Sequence, residues 1–165
     1  MESVKISDRN TIIVGCGRLG ANLANTLSAG GEGVTIIDIC QEAFRKLSPS
    51  FGGITVTGDA TEVFALTEAG IEQAQAVISV TNKDNTNILV AQIAKELFHI
   101  NHVIARLYDP EREMVYREFG IDTICPAVLS VKEIDKLLSM RRNEGSTDAL
   151  ESESKGSIMK ERTKE

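Results

Sequence analysis

The sequence predicts an α/β protein built on a doubly wound, parallel six-stranded sheet with the strand order 3-2-1-4-5-6. Three observations support this fold class. Short β-branched runs alternate with helical patterns, a glycine-rich turn connects the first run to the first helix, and an acidic residue ends the second run. Because parallel strands need crossover connections, the alternation predicts helices on both faces of the sheet, with right-handed crossovers.

The first strand and the turn after it form the glycine-rich motif. Thr11–Val14 is β-branched, as expected for a strand buried on both faces, and Gly15, Gly17 and Gly20 follow as G-x-G-x-x-G. The first glycine permits a tight turn, the second lets backbone approach a pyrophosphate, and the third lets the helix pack closely on the strand. A helix over about 18–29 would point its N-terminus at the turn, where free N–H groups and the helix dipole favour an anion.

Asp38 indicates which ligand this anion site would take. It ends the second strand, 34–37, about 20 residues after the glycines, where a carboxylate can accept both ribose hydroxyls of an adenosine. Its negative charge would repel a 2′-phosphate, so a ligand with a free 2′-hydroxyl is favoured. The combined pattern predicts a nucleotide site, and a purely structural βαβ turn is the alternative.

The remaining strands and helix caps follow the same alternation. Strands are expected at 54–56, 76–80, 103–105 and 123–125, and a short helix at about 41–47. Four residues with side-chain oxygens that can accept the free N–H groups of a helix are expected to be N-caps: Asp59, Asp84, Asp109 and Ser130. The Rossmann-type domain formed by these elements is expected to cover residues 1–142. Residues 143–165 are polar and of mixed charge, which predicts a disordered tail, with a partner-dependent helix as the alternative.

Composition excludes several other classes of protein. The net charge of −6 argues against nucleic acid or an anionic membrane as a partner. The N-terminal segment lacks the apolar run of a signal peptide, and no stretch approaches the ~20 apolar residues of a membrane span, so a cytoplasmic protein is expected.

The cysteines and histidines are expected to have no chemical role. The three cysteines, Cys16, Cys40 and Cys125, form an odd set without metal-type spacing. We expect small buried side chains there, with a redox-sensing group as the alternative. His99 and His102 flank the start of the fifth strand, away from the ligand edge, which favours surface or interface positions over a catalytic role.

Several motifs together resemble one family. The glycine turn with Arg18 inside it is followed by Ile37-Asp38, Gly58-Asp59-Ala60-Thr61, Thr81-Asn82-x-Asp84-x-x-Asn87, and Ala105-Arg106 before Asp109-Pro110. Over about residues 10–140 the chain resembles the N-terminal nucleotide-binding domain of the Trk/Ktr potassium-uptake regulators, also called the RCK, KTN or TrkA-N domain. The resemblance implies a cytoplasmic, non-enzymatic regulatory subunit on the inner face of the membrane. Such subunits bind NAD(H) or ATP, ADP or AMP, form homodimers or rings, and gate a membrane potassium-translocating subunit.

The resemblance also implies a set of ligand-binding residues. The expected nucleotide contacts are Gly15, Cys16, Gly17, Arg18, Leu19, Gly20, Asp38, Ile39, Asp59, Ala60, Thr81, Asn82 and Arg106. In this assignment the glycines hold the phosphates, and Arg18 reaches a terminal phosphate of its own ligand or of a partner's ligand across a dimer. Asp38 binds the ribose, Asp59 and Ala60 lie beside the adenine, and the last three residues border the rest of the ligand.

Two departures and two alternatives accompany the resemblance. Larger members continue into a second ligand-binding domain, whose effector site is not expected here, and some relatives have a cation-binding acid where Ala127 follows Pro126. An NAD-dependent oxidoreductase is the alternative function, but it needs a proton donor, and Lys83 is the one candidate placed in the ligand-side loops. An adaptor that uses the fold only as a scaffold is a third reading.

Overall fold

The computed structural model describes residues 10–140, and their architecture confirms the predicted fold class. Six parallel strands form one sheet in the order β3-β2-β1-β4-β5-β6. The strands are β1 Asn10–Val14, β2 Gly33–Asp38, β3 Ile54–Thr57, β4 Ala76–Ser79, β5 His102–Arg106 and β6 Asp122–Ile124. The helices between them are α1 Arg18–Ala29, α2 Val63–Glu68, α3 Asp84–Gln92 and α4 Glu113–Glu118.

The core has two layers because successive side chains of a strand point to opposite faces. In β1, Ile12 and Val14 belong to the buried cluster that contains residues of α2 and α3, whereas Ile13 belongs to the cluster that contains residues of α1. All three side chains are almost fully buried. The β-branched run at 11–14 therefore forms a central strand covered on both faces, as predicted.

The order of the strands creates a crevice. β1 pairs with β2 on one side and with β4 on the other, and the crossovers that leave β1 and β4 run in opposite directions across the sheet. The loops after these strands therefore diverge, and the space between them lies at the carboxyl edge of the sheet, where open α/β sheets bind ligands.

Two aspartates that were expected to be helix N-caps have other roles. Asp59 accepts hydrogen bonds from the N–H and hydroxyl of Thr61, because it forms a turn before α2, whose N-cap is Glu62. Asp84 is the first residue of α3 rather than its cap, and its carboxylate accepts hydrogen bonds from the segment after β5. Both carboxylates therefore accept donors other than the free N–H groups of the helix that each was expected to cap.

The other local expectations have mixed outcomes. Asp109 caps the helical segment that starts at Pro110, as predicted. Ser130 is not an N-cap, because residues 126–140 form a continuous helix, α5, that already includes it. The expected short helix is a 3₁₀ turn, Gln41–Lys46, and the long helix after β4 changes to a π-helical turn at Ile93–Leu97.

The chain divides into two compact units, with the boundary between Pro126 and Ala127. The described part of the second unit is α5 up to residue 140. The predicted end of the domain at residue 142 and the predicted disordered tail 143–165 lie outside the described residues. Within residues 10–140, no helix has both the length and the apolar character needed to cross a bilayer.

Gly20 fixes the distance between α1 and β1. A Cβ atom built on Gly20 would lie 1.9 Å from the carbonyl oxygen of Gly15, far inside van der Waals contact. A Cβ atom on Gly17 would meet nothing within 4 Å. Packing of the protein therefore demands glycine at position 20 and does not demand it at position 17.

We expect Gly20→Ala to lower the free energy of unfolding by about 3 kcal/mol, because α1 would have to move away from β1. Thermal unfolding followed by circular dichroism measures this loss. Gly17→Ala is the matched control and should change the stability by less than about 1 kcal/mol, since its backbone is extended and its surroundings are open. Equal stability of the two variants would contradict the role given to Gly20.

Candidate functional site

A cavity of about 680 Å³ lies at the carboxyl edge of the sheet, in the size range of small-molecule sites. All the residues expected to contact a ligand line it except Gly20: Gly15, Cys16, Gly17, Arg18, Leu19, Asp38, Ile39, Asp59, Ala60, Thr81, Asn82 and Arg106. Gly20 is buried and packs against Gly15 instead. Residues from distant parts of the sequence thus come together around a single concave surface.

The glycine turn is built as a backbone surface for an anion. Gly15 has φ +101°, which favours glycine, and its N–H donates to the carbonyl oxygen of Ile37 at 2.8 Å. α1 then begins at Arg18, and its N-cap, Gly17, provides no side-chain hydrogen bond to the free N–H groups of the first turn. These groups and the positive end of the helix dipole are the usual elements of a phosphate site.

Asp38 holds the glycine turn in place. Its Oδ2 accepts a hydrogen bond of 2.6 Å from the N–H of Cys16, and its Oδ1 accepts one of 2.9 Å from the N–H of Cys40. A carboxylate has about four acceptor positions, so these two bonds leave capacity for hydroxyl donors. The same side chain can therefore orient the turn and bind a ribose.

Asp59 lies on the β3 side of the cavity and is restrained by its neighbour. Thr61 donates to its Oδ1 from the hydroxyl at 2.7 Å and from the backbone N–H at 2.9 Å. The Thr61 hydroxyl, the Thr61 N–H and nearby Lys83 favour the carboxylate form, so the pKa of Asp59 is lowered. Asp59 therefore contributes a fixed negative charge beside the cavity at neutral pH.

On the other side of the crevice, Asn87 connects the ends of β4 and β5. It is fully buried, and its Oδ1 accepts hydrogen bonds from Ser79 Oγ at 3.0 Å, Thr81 N at 2.8 Å and Thr81 Oγ1 at 2.7 Å. Its Nδ2 donates to the carbonyl oxygens of Thr81 at 3.0 Å and Arg106 at 2.9 Å. The amide uses both hydrogens and its oxygen, so the loops that carry Thr81 and Arg106 are fixed to one buried group.

Arg106 and Tyr108 form a pair at the end of β5. The guanidinium carbon lies 4.4 Å from the centre of the Tyr108 ring, and Arg106 Nη2 donates to the Tyr108 hydroxyl. Both residues line the cavity. Stacking on an aromatic face holds a guanidinium in one plane, which suits it to recognise a phosphate.

Basic groups outnumber acidic groups around the cavity. Among the described residues that line it, the cations are Arg18, Lys46, Lys83 and Arg106, and the anions are Asp38 and Asp59. The chain as a whole has a net charge of −6. The carboxyl edge of the sheet is therefore a locally positive concavity on an acidic protein, which favours an anionic ligand.

Lys46 and Tyr108, which line the cavity, were not foreseen from the sequence. Tyr108 follows β5 by two residues, so the rule that ligands bind at the carboxyl ends of strands could have indicated it. Lys46 ends the 3₁₀ turn after β2, and no local sequence pattern points to it.

The cysteines and histidines largely follow expectation. Cys16 and Cys125 are buried, but Cys40 is exposed, because it lies in the turn after β2, so the expectation of a buried side chain is wrong there. Burial and the adjacent Asp38 carboxylate raise the pKa of the Cys16 thiol, which keeps it protonated and unreactive at neutral pH. His99 and His102 are exposed near the amino end of β5, away from the cavity.

The three-dimensional arrangement is similar to that of the GsuK channel in two solved structures. The chain is 28% identical to the structure described as the GsuK channel bound to NAD, with a TM-score of 0.69, over 82% of this chain and 24% of that chain. It is also 28% identical to the crystal structure of GsuK bound to ADP, with a TM-score of 0.67, over 83% of this chain and 35% of that chain.

A relative of known name is similar to this chain at higher sequence identity. The Trk system potassium uptake protein TrkA of Streptomyces coelicolor is 46% identical over 113 residues, which cover 68% of this chain and 51% of that protein. The chain thus spans about half the length of this relative. These names describe potassium uptake and a channel rather than catalysis, in agreement with the expectation that the domain is not an enzyme.

The family model for the TrkA-N domain matches residues 11–126, which include all six strands but the first residue of β1. This range contains the glycine turn, Asp38 and the rest of the cavity. The resemblance inferred from the motifs is confirmed, and the chain belongs to the TrkA-N domain family.

Proposed function

We propose that this chain is a regulatory nucleotide-binding domain of a potassium transport system, and that its ligand is an adenine nucleotide, either NAD(H) or one of ATP, ADP and AMP. One observation carries the proposal: the glycine turn, the α1 N-terminus and Asp38 line one locally positive cavity in a TrkA-N domain. The structures described as GsuK bound to NAD and GsuK bound to ADP support this ligand class.

The binding mode follows from the chemistry of each wall. The Asp38 carboxylate accepts the ribose hydroxyls, and Ile39, Asp59 and Ala60 border the adenine on the β3 side. Backbone N–H groups at the start of α1 hold the phosphates, and Arg18 is exposed at that point, free to reach a terminal phosphate.

Regulation requires that the nucleotide distinguish two conformations. A ligand that binds both equally tightly shifts nothing, whereas a tenfold preference for one of them is worth about 1.4 kcal/mol. We propose that the distinguished states are states of a homodimer or ring attached to a membrane potassium-translocating subunit of the Trk or Ktr type, on the cytoplasmic face. The large apolar side chains that α5 exposes suit such an assembly: Leu129, Val131, Ile134, Leu137 and Leu138.

The ribose assignment is tested with Asp38→Asn. The parent is expected to bind ADP about tenfold more tightly than 2′-deoxy-ADP, because a hydrogen bond to a charged group contributes about 1.5–3 kcal/mol. The variant keeps one acceptor oxygen for the backbone but loses the charge, so its preference for ADP should fall to about twofold or less. Isothermal titration calorimetry with the two nucleotides measures both ratios.

The comparison of ratios separates ribose binding from the support that Asp38 gives to the glycine turn. A displaced turn would weaken both nucleotides by the same factor and leave their ratio unchanged. Asp122→Asn is the matched control, since Asp122 is exposed at the amino end of β6, and it should leave both affinities unchanged. An unchanged ADP preference in Asp38→Asn would contradict the assignment.

The role of Arg18 is tested by the discrimination between ATP and ADP. Arg18→Ala should reduce that discrimination about fivefold, because an always-charged guanidinium is lost beside the terminal phosphate. Competition titrations of both nucleotides against one fluorescent analogue measure it. Arg117→Ala, in an i,i+4 pair with Glu113 on α4, is the control for loss of a positive charge. Equal discrimination in Arg18→Ala and the parent would show that Arg18 does not read the terminal phosphate.

The transport role is tested with the full chain and a purified potassium-translocating subunit of the Trk type in detergent. The immobilised subunit should retain the chain, and ADP or NAD should change the retained fraction. Asp38→Asn should still be retained but should respond only at higher nucleotide concentration. Retention that no nucleotide alters would contradict regulation through this site, and absence of retention would contradict the proposed partner.

A further inference from the structure

Two polar side chains of α3 hold the segment that follows β5. Asp84 and Asn87 are three residues apart, so they lie on the same side of the helix. Asp84 accepts the N–H of Tyr108 with both carboxylate oxygens at 3.0 Å and the N–H of Asp109 at 3.2 Å. Asn87 holds the carbonyl oxygen of Arg106 at 2.9 Å. The backbone from Arg106 to Asp109 is therefore fixed to α3 at both ends.

This anchored segment carries the Arg106–Tyr108 pair. The guanidinium lies over the ring and donates to its hydroxyl, and both side chains line the cavity. Within residues 10–140, Arg106 Nε is also one of two buried side-chain nitrogen or oxygen atoms without a hydrogen-bond partner. A buried donor without an acceptor is unfavourable, so an anion beside the guanidinium would supply the missing acceptor.

An arginine side chain has several rotatable bonds, and its position depends on the backbone that carries it and on the surface against which it packs. Here Asp84 and Asn87 fix the backbone, and the surface is the ring of Tyr108. The backbone N–H of Tyr108 itself donates to Asp84. The two α3 residues make no use of these bonds for capping their own helix. Their hydrogen bonds instead hold the segment after β5, which forms the same wall of the crevice.

We propose that Asp84 and Asn87 are positioning residues that hold the Arg106–Tyr108 pair as a specificity element for the second phosphate of the nucleotide. ADP, ATP and NAD share that group, and AMP lacks it. The inference rests on the proposed function, because it assigns a selectivity to the same cavity. The proposal adds Asp84, Asn87 and Tyr108 to the residues that determine nucleotide selectivity. All three lie outside the glycine motif, and the Tyr108 ring orients the guanidinium of Arg106.

The test compares the affinities for ADP and AMP, measured by isothermal titration calorimetry on the full chain. The parent is expected to bind ADP at least about tenfold more tightly than AMP. Asp84→Ala removes the acceptor for Tyr108 and Asp109, so this ratio should fall about fivefold or more, with AMP affinity within about twofold of the parent. Asp84→Asn keeps one acceptor oxygen and should give an intermediate ratio.

The matched control is Asn85→Asp, a substitution at an exposed neighbouring position of the same helix, which should leave the ratio unchanged. A merely structural role for Asp84 would lower the melting temperature and change ADP and AMP binding by the same factor. Proportional loss, or no loss, therefore overturns the inference. A parent that binds ADP and AMP equally also overturns it, while nucleotide binding itself stands.

A second variant tests the same proposal without a substitution in α3, so a folding defect of that helix cannot explain its result. Tyr108 is 53% exposed, so Tyr108→Leu removes the platform under the guanidinium without disturbing the core. It should lower the ratio of ADP to AMP affinity about as much as Asp84→Ala does. An unchanged ratio in Tyr108→Leu overturns the inference, and a parent that binds no adenine nucleotide contradicts the proposed function and the inference together.

Discussion

The close approach of α1 to β1 is the constraint on which the rest of the site depends. Gly20 lies so near the Gly15 carbonyl that a single methyl group would separate helix from strand. Because the two elements touch, the first turn of α1 points directly into the crevice between β1 and β4. Its free N–H groups are then available for an anion at the place where the strand order reverses.

Asp38 extends this arrangement to the neighbouring strand. Its two oxygens accept hydrogen bonds from the backbone N–H groups of Cys16, in the loop after β1, and of Cys40, in the loop after β2. Asp38, which the sequence motif predicts to bind the ligand, therefore also supports the glycine turn. A charged acceptor suits both tasks, because it forms stronger hydrogen bonds than a neutral one and has acceptor positions to spare.

The opposite wall is organised by different chemistry. There the buried amide of Asn87 and the carboxylate of Asp84 reach from α3 to the segment after β5. The two walls differ in charge as well as in construction. The acids Asp38 and Asp59 and the cation Lys46 lie after β2 and β3, whereas the cations Lys83 and Arg106 lie after β4 and β5. A ligand with a neutral, hydroxyl-rich end and an anionic end matches this polarity.

The sequence by itself determined the fold class, the strand order, the glycine turn and the place of Asp38. These features depend on local signals: β-branched runs, glycine spacing, and an acid at a strand end. Most of the expected ligand residues also line the cavity, because they follow strands whose carboxyl ends meet at one edge.

Only the tertiary structure decided which hydrogen-bond partners the polar side chains have. Asp59 and Asp84 both have the sequence pattern of N-caps, yet one binds Thr61 and the other binds Tyr108 in the segment after β5. The contribution of Lys46 and the stacking of Arg106 on Tyr108 likewise required the strand ends to be assembled. A carboxylate accepts the donor that the fold brings within reach, and a donor 24 residues away in the chain leaves no periodic signal in the sequence.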